Sequence, residues 1–123
     1  MKPTRKNTEA GAEWAKSFDP GALAAGASKQ YTTESAELRP GIKEKGFFNA
    51  LTVVNNSDVD IAIDFDFNPD RRRTVPAHAA VPYTNLVPYQ EMNVLNKSAT
   101  TATAAGEVEI TIRNERDVMR RGL

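Results

Sequence analysis

The chain lacks cysteine altogether, so disulfide scaffolds, thiolate zinc sites and cysteine nucleophiles are excluded. It has a single histidine, His78, in the stretch VPAHAAVPY. A catalytic histidine needs an oriented partner beside a nucleophile or a metal. No GxSxG, HExxH, Walker-type GxxxxGKS/T or GxGxxG pattern supplies that context. Excess charge of either sign is also missing. Lys and Arg total 16, Asp and Glu total 16, and the formal net charge is zero. Such a chain has no overall pull toward nucleic acid or an anionic membrane, and near-zero net charge favours association. No apolar run approaches the ~20 residues that span a bilayer. The basic start, MKPTRKNTEAGAEW, is not followed by the apolar stretch of a secretory signal. These absences lead to the expectation of a chain made in the cytosol, with no cofactor, no metal site, no membrane or specific nucleic-acid partner, and no enzymatic activity.

What is present is one dominant stretch, residues 51–68, LTVVNNSDVDIAIDFDFN. Val59, Ile61, Ile63, Phe65 and Phe67 alternate with Asp60, Ala62, Asp64 and Asp66. A period of two puts the apolar set on one face of a strand and the carboxylates on the other. Residues 107–113 repeat the pattern, with Val108, Ile110 and Ile112 between Glu107, Glu109 and Thr111. Two such faces bury each other across a core. The 123 residues suffice for one domain, and a hydrophobic fraction of 40% limits the core to part of the chain.

In chain order, residues 1–7 are polar and basic. Thr8 is placed to cap a short helix in which Ala10, Trp14 and Phe18 share a face, before Asp19-Pro20-Gly21 stops it. Trp14 and Phe18 are too large to leave on so short a helix, so they dock on the chain's own β domain or on a neighbour. Residues 28–38, with Tyr31, form a polar strand of weak alternation, an edge or one completed by a partner. Arg39-Pro40-Gly41 reads as a turn, and the compact domain starts near Gly46. Residues 47–55 form a strand with Leu51 and Val53 inward, and residues 55–58 read as a hairpin loop into the strand over 59–67. Pro76, Pro82 and Pro88 restrict the next stretch to short edge strands around Thr74-Val75 and residues 79–83. Residues 89–95 form another short strand with Met92 and Val94 inward. Asn114 is placed to cap a final helical turn. Short strands separated by turns indicate an all-β fold: a small antiparallel β-sandwich, jelly-roll or Ig-like, over 46–114. An extended, partly helical, assembly-dependent N-terminal arm covers 1–45, and a tail or short helix covers 115–123.

Three groups could carry chemistry. Asp58, Asp60, Asp64, Asp66 and Asp70 resemble a cation site in composition. Alternate residues of a strand are ~6.5 Å apart, however, so a compact site would need ligands from elsewhere, and a solvated strand face is the simpler expectation. Arg71, Arg72 and Arg73 follow directly, and their forked donors suit the aspartates of the same chain or of a neighbour. Trp14, Phe18, Tyr83 and Tyr89 serve either core and interface packing or an aromatic sugar-binding patch.

The block FFNALTVVNNSDVDIAIDFDFNPDRRRTVPAHAAV with NLVPYQEMNVLNKSATTATAAGEVEITIRNE resembles small β-sandwich virion proteins of tailed bacteriophages and related viruses. The resemblance lies in Val53 to Ser57, Val59 to Phe65, Val75 to Ala77 and Asn96 to Ile112. It spans roughly the last two thirds of the chain and is one of β-turn composition. It implies a virion structural protein, a capsid decoration or minor capsid component, whose partners are other virion proteins such as the major capsid protein, with homo-oligomers expected. The interface residues would be Trp14, Phe18, Tyr31, Arg71, Arg72 and Arg73. A carbohydrate- or receptor-binding module is the alternative.

Overall fold

The computed structural model describes residues 14–84, 86 and 88–114. Eight strands run in the order β1 (Trp14–Phe18), β2 (Ser28–Tyr31), β3 (Ala50–Asn55), β4 (Ile61–Phe65), β5 (Arg72–Val75), β6 (Ala79–Tyr83), β7 (Met92–Asn96) and β8 (Val108–Asn114). A helix, α1 (Arg39–Lys45), lies between β2 and β3, and a 3-10 turn (Pro69–Arg71) lies between β4 and β5. The strands form two antiparallel four-stranded sheets, ordered β1-β8-β3-β6 and β2-β7-β4-β5. The pairings are nested: β1 with β8, β2 with β7, β3 with β6, β4 with β5. The first half of the chain therefore lies antiparallel against the second, like one long hairpin divided between two sheets. The β3–β8 and β4–β7 ladders then join the pairs inside each sheet.

The core lies between the sheets. Leu51, Val53, Ile110 and Ile112 of one sheet meet Ile61, Ile63, Phe65, Met92 and Val94 of the other in one buried cluster. These are the inward residues of the period-two stretches, and the two strong strands bury them against each other; β8 alternates in burial, whereas β4 is buried on both faces, Ala62 and Asp64 included. Burial of such side chains is worth about 1.5–3 kcal/mol each, the main favourable contribution to folding.

Several expectations are corrected. Within the expected arm over 1–45, the described residues 14–45 supply β1, β2 and α1, so the sandwich extends across 14–114. Trp14–Phe18 is a strand and not the end of a helix, because β8 offers it a five-residue ladder from Trp14↔Asn114 to Phe18↔Ile110. A ladder plus core burial outweighs the weak helical propensity of a segment containing a glycine. Residues 55–58 are not a hairpin loop, because β3 and β4 belong to different sheets and the segment crosses between them. Arg39-Pro40-Gly41 opens α1, with proline in the first turn where its missing N–H costs nothing. Gly46 closes the helix at φ 88°, its N–H donating to Ile42 O. β4 stops at Phe65 because Asp66 and Phe67 take φ values of 52° and 58°. The helical start over 8–13 and the tail over 115–123 lie outside the described residues.

Since strand direction alternates along the chain, the connections β1–β2, β3–β4, β5–β6 and β7–β8 gather at one end of the sandwich. Those from β2 to β3, β4 to β5 and β6 to β7 gather at the other.

Candidate assembly interface

The aromatic residues expected to reach a neighbour are engaged by the chain itself. Trp14 packs on α1 so closely that a Cβ placed on Gly41 would lie 2.3 Å from the ring's Cε3. Gly41 is thus required by the contact, and no larger residue fits while Trp14 stays docked. Phe18 lies 4.8 Å from the Tyr31 ring, centroid to centroid, and Trp14 and Phe18 both pack against the core cluster. Tyr31 is only 1% exposed, so its expected place at an interface is corrected to the core. Burial, with Glu37 and Asp19 nearby, pushes its hydroxyl well above the usual tyrosine range. The bland alternative for Trp14, packing on its own domain, is the one observed.

The three arginines have three different environments. Arg71 is exposed, its guanidinium 5.7 Å from the centroid of Tyr89. Arg72 grips Asp64 with two bonds, Nε to Oδ1 at 2.6 Å and Nη2 to Oδ2 at 2.9 Å. Arg73 is exposed and donates to the Arg72 carbonyl. Asp64 was expected on a solvated face but is 3% exposed. The Arg72 guanidinium holds its carboxyl below the usual range, with a further contribution from Asn93, against the opposing effect of burial. An intrachain Arg–Asp pair was one of the two readings of this motif, and Arg72 alone realises it.

The other aspartates order loops. Asp66 Oδ1 accepts from Gln90 N and Glu91 N, each at 3.1 Å. Asp60 Oδ1 accepts from Ala77 N. Asp58 lies 2.7 Å from His78 Nε2, with side chains 82% and 63% exposed. Among the described residues, no three His, Asp or Glu side chains are gathered as a metal would require.

The two ends are closed by different groups. At the β7–β8 end, Asn55 and Asn96 are fully buried last residues of β3 and β7. Asn55 Nδ2 faces three carbonyls, Val59 O at 2.8 Å, Pro76 O at 3.0 Å and Val75 O at 3.2 Å. Its Oδ1 accepts from Ser57 N and Ser57 Oγ. Asn96 Nδ2 donates to Leu23 O and Thr101 O, and its Oδ1 accepts from Ser98 N. Thr103 completes this corner, its Oγ1 accepting from Leu23 N while its own N–H donates to Leu23 O. Asn55 thus ties the β3–β4 loop to the β5–β6 loop, and Asn96 ties the β1–β2 connection to the β7–β8 loop. At the opposite end Phe65 stacks on Tyr89, 4.5 Å apart and 11° from parallel, and Phe48 lies 6.2 Å from each.

Sequence reasoning placed Asn55 where a strand meets a loop and gave neither Asn55 nor Asn96 a buried role. The available signal was period two: Val53 and Val94 point inward, so the residues two further on do too. Each is followed by the same x-Ser step, which closes an Asx turn on the buried amide.

The outer sheet faces are the remaining broad surfaces. On the β2-β7-β4-β5 sheet, the Asp64–Arg72 pair neutralises itself. On the β1-β8-β3-β6 sheet, one row runs Ser17–Thr111–Thr52–Pro82. Ser17 Oγ and Thr111 Oγ1 are 2.7 Å apart, and Arg113 Nη1 donates to Thr52 Oγ1 at 2.9 Å. Comparison of the chain with protein-family models, curated proteins and solved structures finds no match.

Proposed function

We propose that the chain is a virion structural protein, a capsid decoration or minor capsid component present in many copies. The observation that supports this most is the nested strand order around a hydrophobic core. Pairing 1-8, 2-7, 3-6 and 4-5 across two sheets is the order of an eight-stranded jelly roll, an architecture used by viral capsid domains and lectins. An Ig-type sandwich instead places its first two strands side by side in one sheet. Here β1 and β2 lie in different sheets.

The space between the sheets is filled by aliphatic and aromatic side chains, with the buried amides of Asn55 and Asn96 confined to one end. That suits a scaffold, whereas chemistry inside the barrel would need polar or ionisable groups there. Zero net charge and two four-stranded sheet faces suit packing against neighbours. In this reading the protein is made in the host cytoplasm and works in the virion. It contacts the major capsid protein and further copies of itself through sheet faces and the exposed Arg71 and Arg73. Trp14, Phe18 and Tyr31 hold the subunit together and do not reach out of it.

Immunogold labelling of particles from a culture that carries the gene, with antibody raised against the purified chain, tests the reading. Regularly spaced label on particles is expected. Particles free of the chain, together with a melting temperature raised by simple sugars, would replace this reading with a carbohydrate-binding module.

A further inference from the structure

We infer that two copies of this chain exchange halves: β1–β4 of one copy complete their sheets with β5–β8 of the other, and the β4–β5 connection is the hinge. The topology provides for this. All six strand ladders join the first half to the second: β1–β8, β2–β7, β3–β6, β3–β8, β4–β5 and β4–β7. Among the described residues, no ladder lies within either half. Exchanging β1 with β5, β2 with β6, β3 with β7 and β4 with β8 turns one sheet order into the other, read backwards. The correspondence extends to residues, with LTVVNNS over 51–57 matched by MNVLNKS over 92–98. Asn56 N donates to Glu107 O and, in the matching place, Lys97 N donates to Asp60 O. The sandwich is thus two related, interlocked units, joined covalently only through residues 66–71.

That connection is strained where it turns. Asp66 and Phe67 hold φ at 52° and 58°, and Asn68 N closes the turn on Phe65 O at 3.0 Å. Turns with two left-handed central residues favour asparagine and glycine, and a bulky side chain such as phenylalanine is an outlier there. The sequence pattern calls for the opposite. Its alternation of apolar and polar residues continues through Phe67, two residues past the end of β4. Asn68 is already extended, at φ −103° and ψ 109°, as the residue before a proline prefers. Moving Asp66 and Phe67 into the extended region carries β4 straight on to Pro69 and relieves the strain.

Straightened, the stretch from Phe65 to Arg71 reaches ~23–25 Å, long enough to carry β5 past the end of β4 to a second copy. The exchanged dimer keeps every ladder, and the Asp64–Arg72 pair re-forms between copies. It gives up the bond that closes the turn and the entropic advantage of joining two halves of one chain, so concentration favours it. Passing between the closed and exchanged forms requires all six ladders to part, which is nearly complete unfolding. Each form therefore persists once it has folded. The inference does not rest on the virion role.

Refolding of the full chain from urea at ~10 μM and at ~1 mM, below and near the effective concentration of a short linker, provides the test. Sedimentation velocity then measures monomer and dimer. Dimer is expected at the higher concentration, and it should survive dilution. Phe67→Gly, which adopts the left-handed turn freely, should lower the dimer-to-monomer ratio about tenfold. The chain has no cysteine of its own, so Ala62→Cys with Thr74→Cys places a single pair across the β4–β5 ladder. Once oxidised, that disulfide links two chains in the exchanged dimer and stays within one chain in any dimer built by surface contact. Circular dichroism checks that the variants fold. A parent that refolds only to monomer at ~1 mM, a dimer that dissociates on dilution, a dimer whose disulfides stay within single chains, or an undiminished dimer in Phe67→Gly overturns the proposal.

Discussion

At the end where β7 turns into β8, the closing groups are two buried amides. At the end where β4 turns into β5, they are three aromatic rings. Both ends must solve the same problem, because strand ends leave backbone carbonyls and N–H groups without ladder partners. The amide end solves it by bonding: Asn55 and Asn96 each bridge two loops and leave little freedom in direction or length. The aromatic end solves it by covering: Phe48, Phe65 and Tyr89 fill space, while Asp66 collects two backbone donors at the surface. Directional bonds and contact packing fail differently. The first tolerates almost no substitution, and the second tolerates changes that preserve volume.

The largest expected effect comes from Asn55→Asp, which keeps the shape and Oδ1 but replaces the donor by an oxygen. Three carbonyls would then face a carboxylate, at a cost of about 3–5 kcal/mol, a large share of the stability of a domain this size. The counterpart is Phe65→Leu, which keeps an apolar side chain against Tyr89 and should cost only about 1–2 kcal/mol. Urea denaturation of both variants measures the contrast. Equal losses would mean that the two ends are not held by different physics.

This contrast also explains what could be read from the sequence. Alternation at Ile61, Ile63 and Phe65 and at Val108, Ile110 and Ile112 identified the core faces, because apolar burial leaves a periodic trace. β6 over Ala79–Tyr83 was anticipated with its proline, since Pro82 fits an edge strand. β1 was missed because Trp14 and Phe18, at a spacing of four, fit one helix face and also the inward face of a strand. Only the ladder offered by β8 decides between them. α1 was missed because Pro40 and Gly41 are turn residues in isolation, and Gly41 is needed for a contact with a residue 27 positions earlier (14 to 41). Nothing local distinguishes an aromatic bound for a neighbour from one bound for the core, and Tyr31 went to the core.

An intermediate effect separates the ends by charge. Asp64 and Arg72 are paired beside the aromatic end, whereas the buried closing side chains of the other end are neutral. The folded Asp64 titrates below its ordinary ~3.9. The pair's contribution is therefore fully present above that value and is lost as pH falls through the lower folded value. Arg72→Met should cost about 1–3 kcal/mol at pH 7, discounted because the arginine is 33% exposed. Its deficit should shrink as the pH is lowered below ~4, because protonation relieves the abandoned carboxylate. Denaturation at pH 7 and pH 3.5 checks this. A deficit that is the same at both would place the role of Arg72 in packing and not in charge.

The smallest effect is expected at His78, whose contact with Asp58 links two loops at the amide end. His78 and Asp58 are both largely exposed, so water competes for their contact and little stability depends on it. His78 also holds φ at 58°, a left-handed conformation that costs an L-residue energy and that glycine adopts freely. His78→Gly loses the contact and relieves the strain, while the freer unfolded chain offsets part of the gain. These contributions should nearly cancel, leaving the melting temperature within about 3 °C of the parent. A large fall for His78→Gly would make the His78–Asp58 contact a third closure. The amide end would then be held partly by an exposed side-chain contact, and its buried asparagines would no longer suffice to explain it.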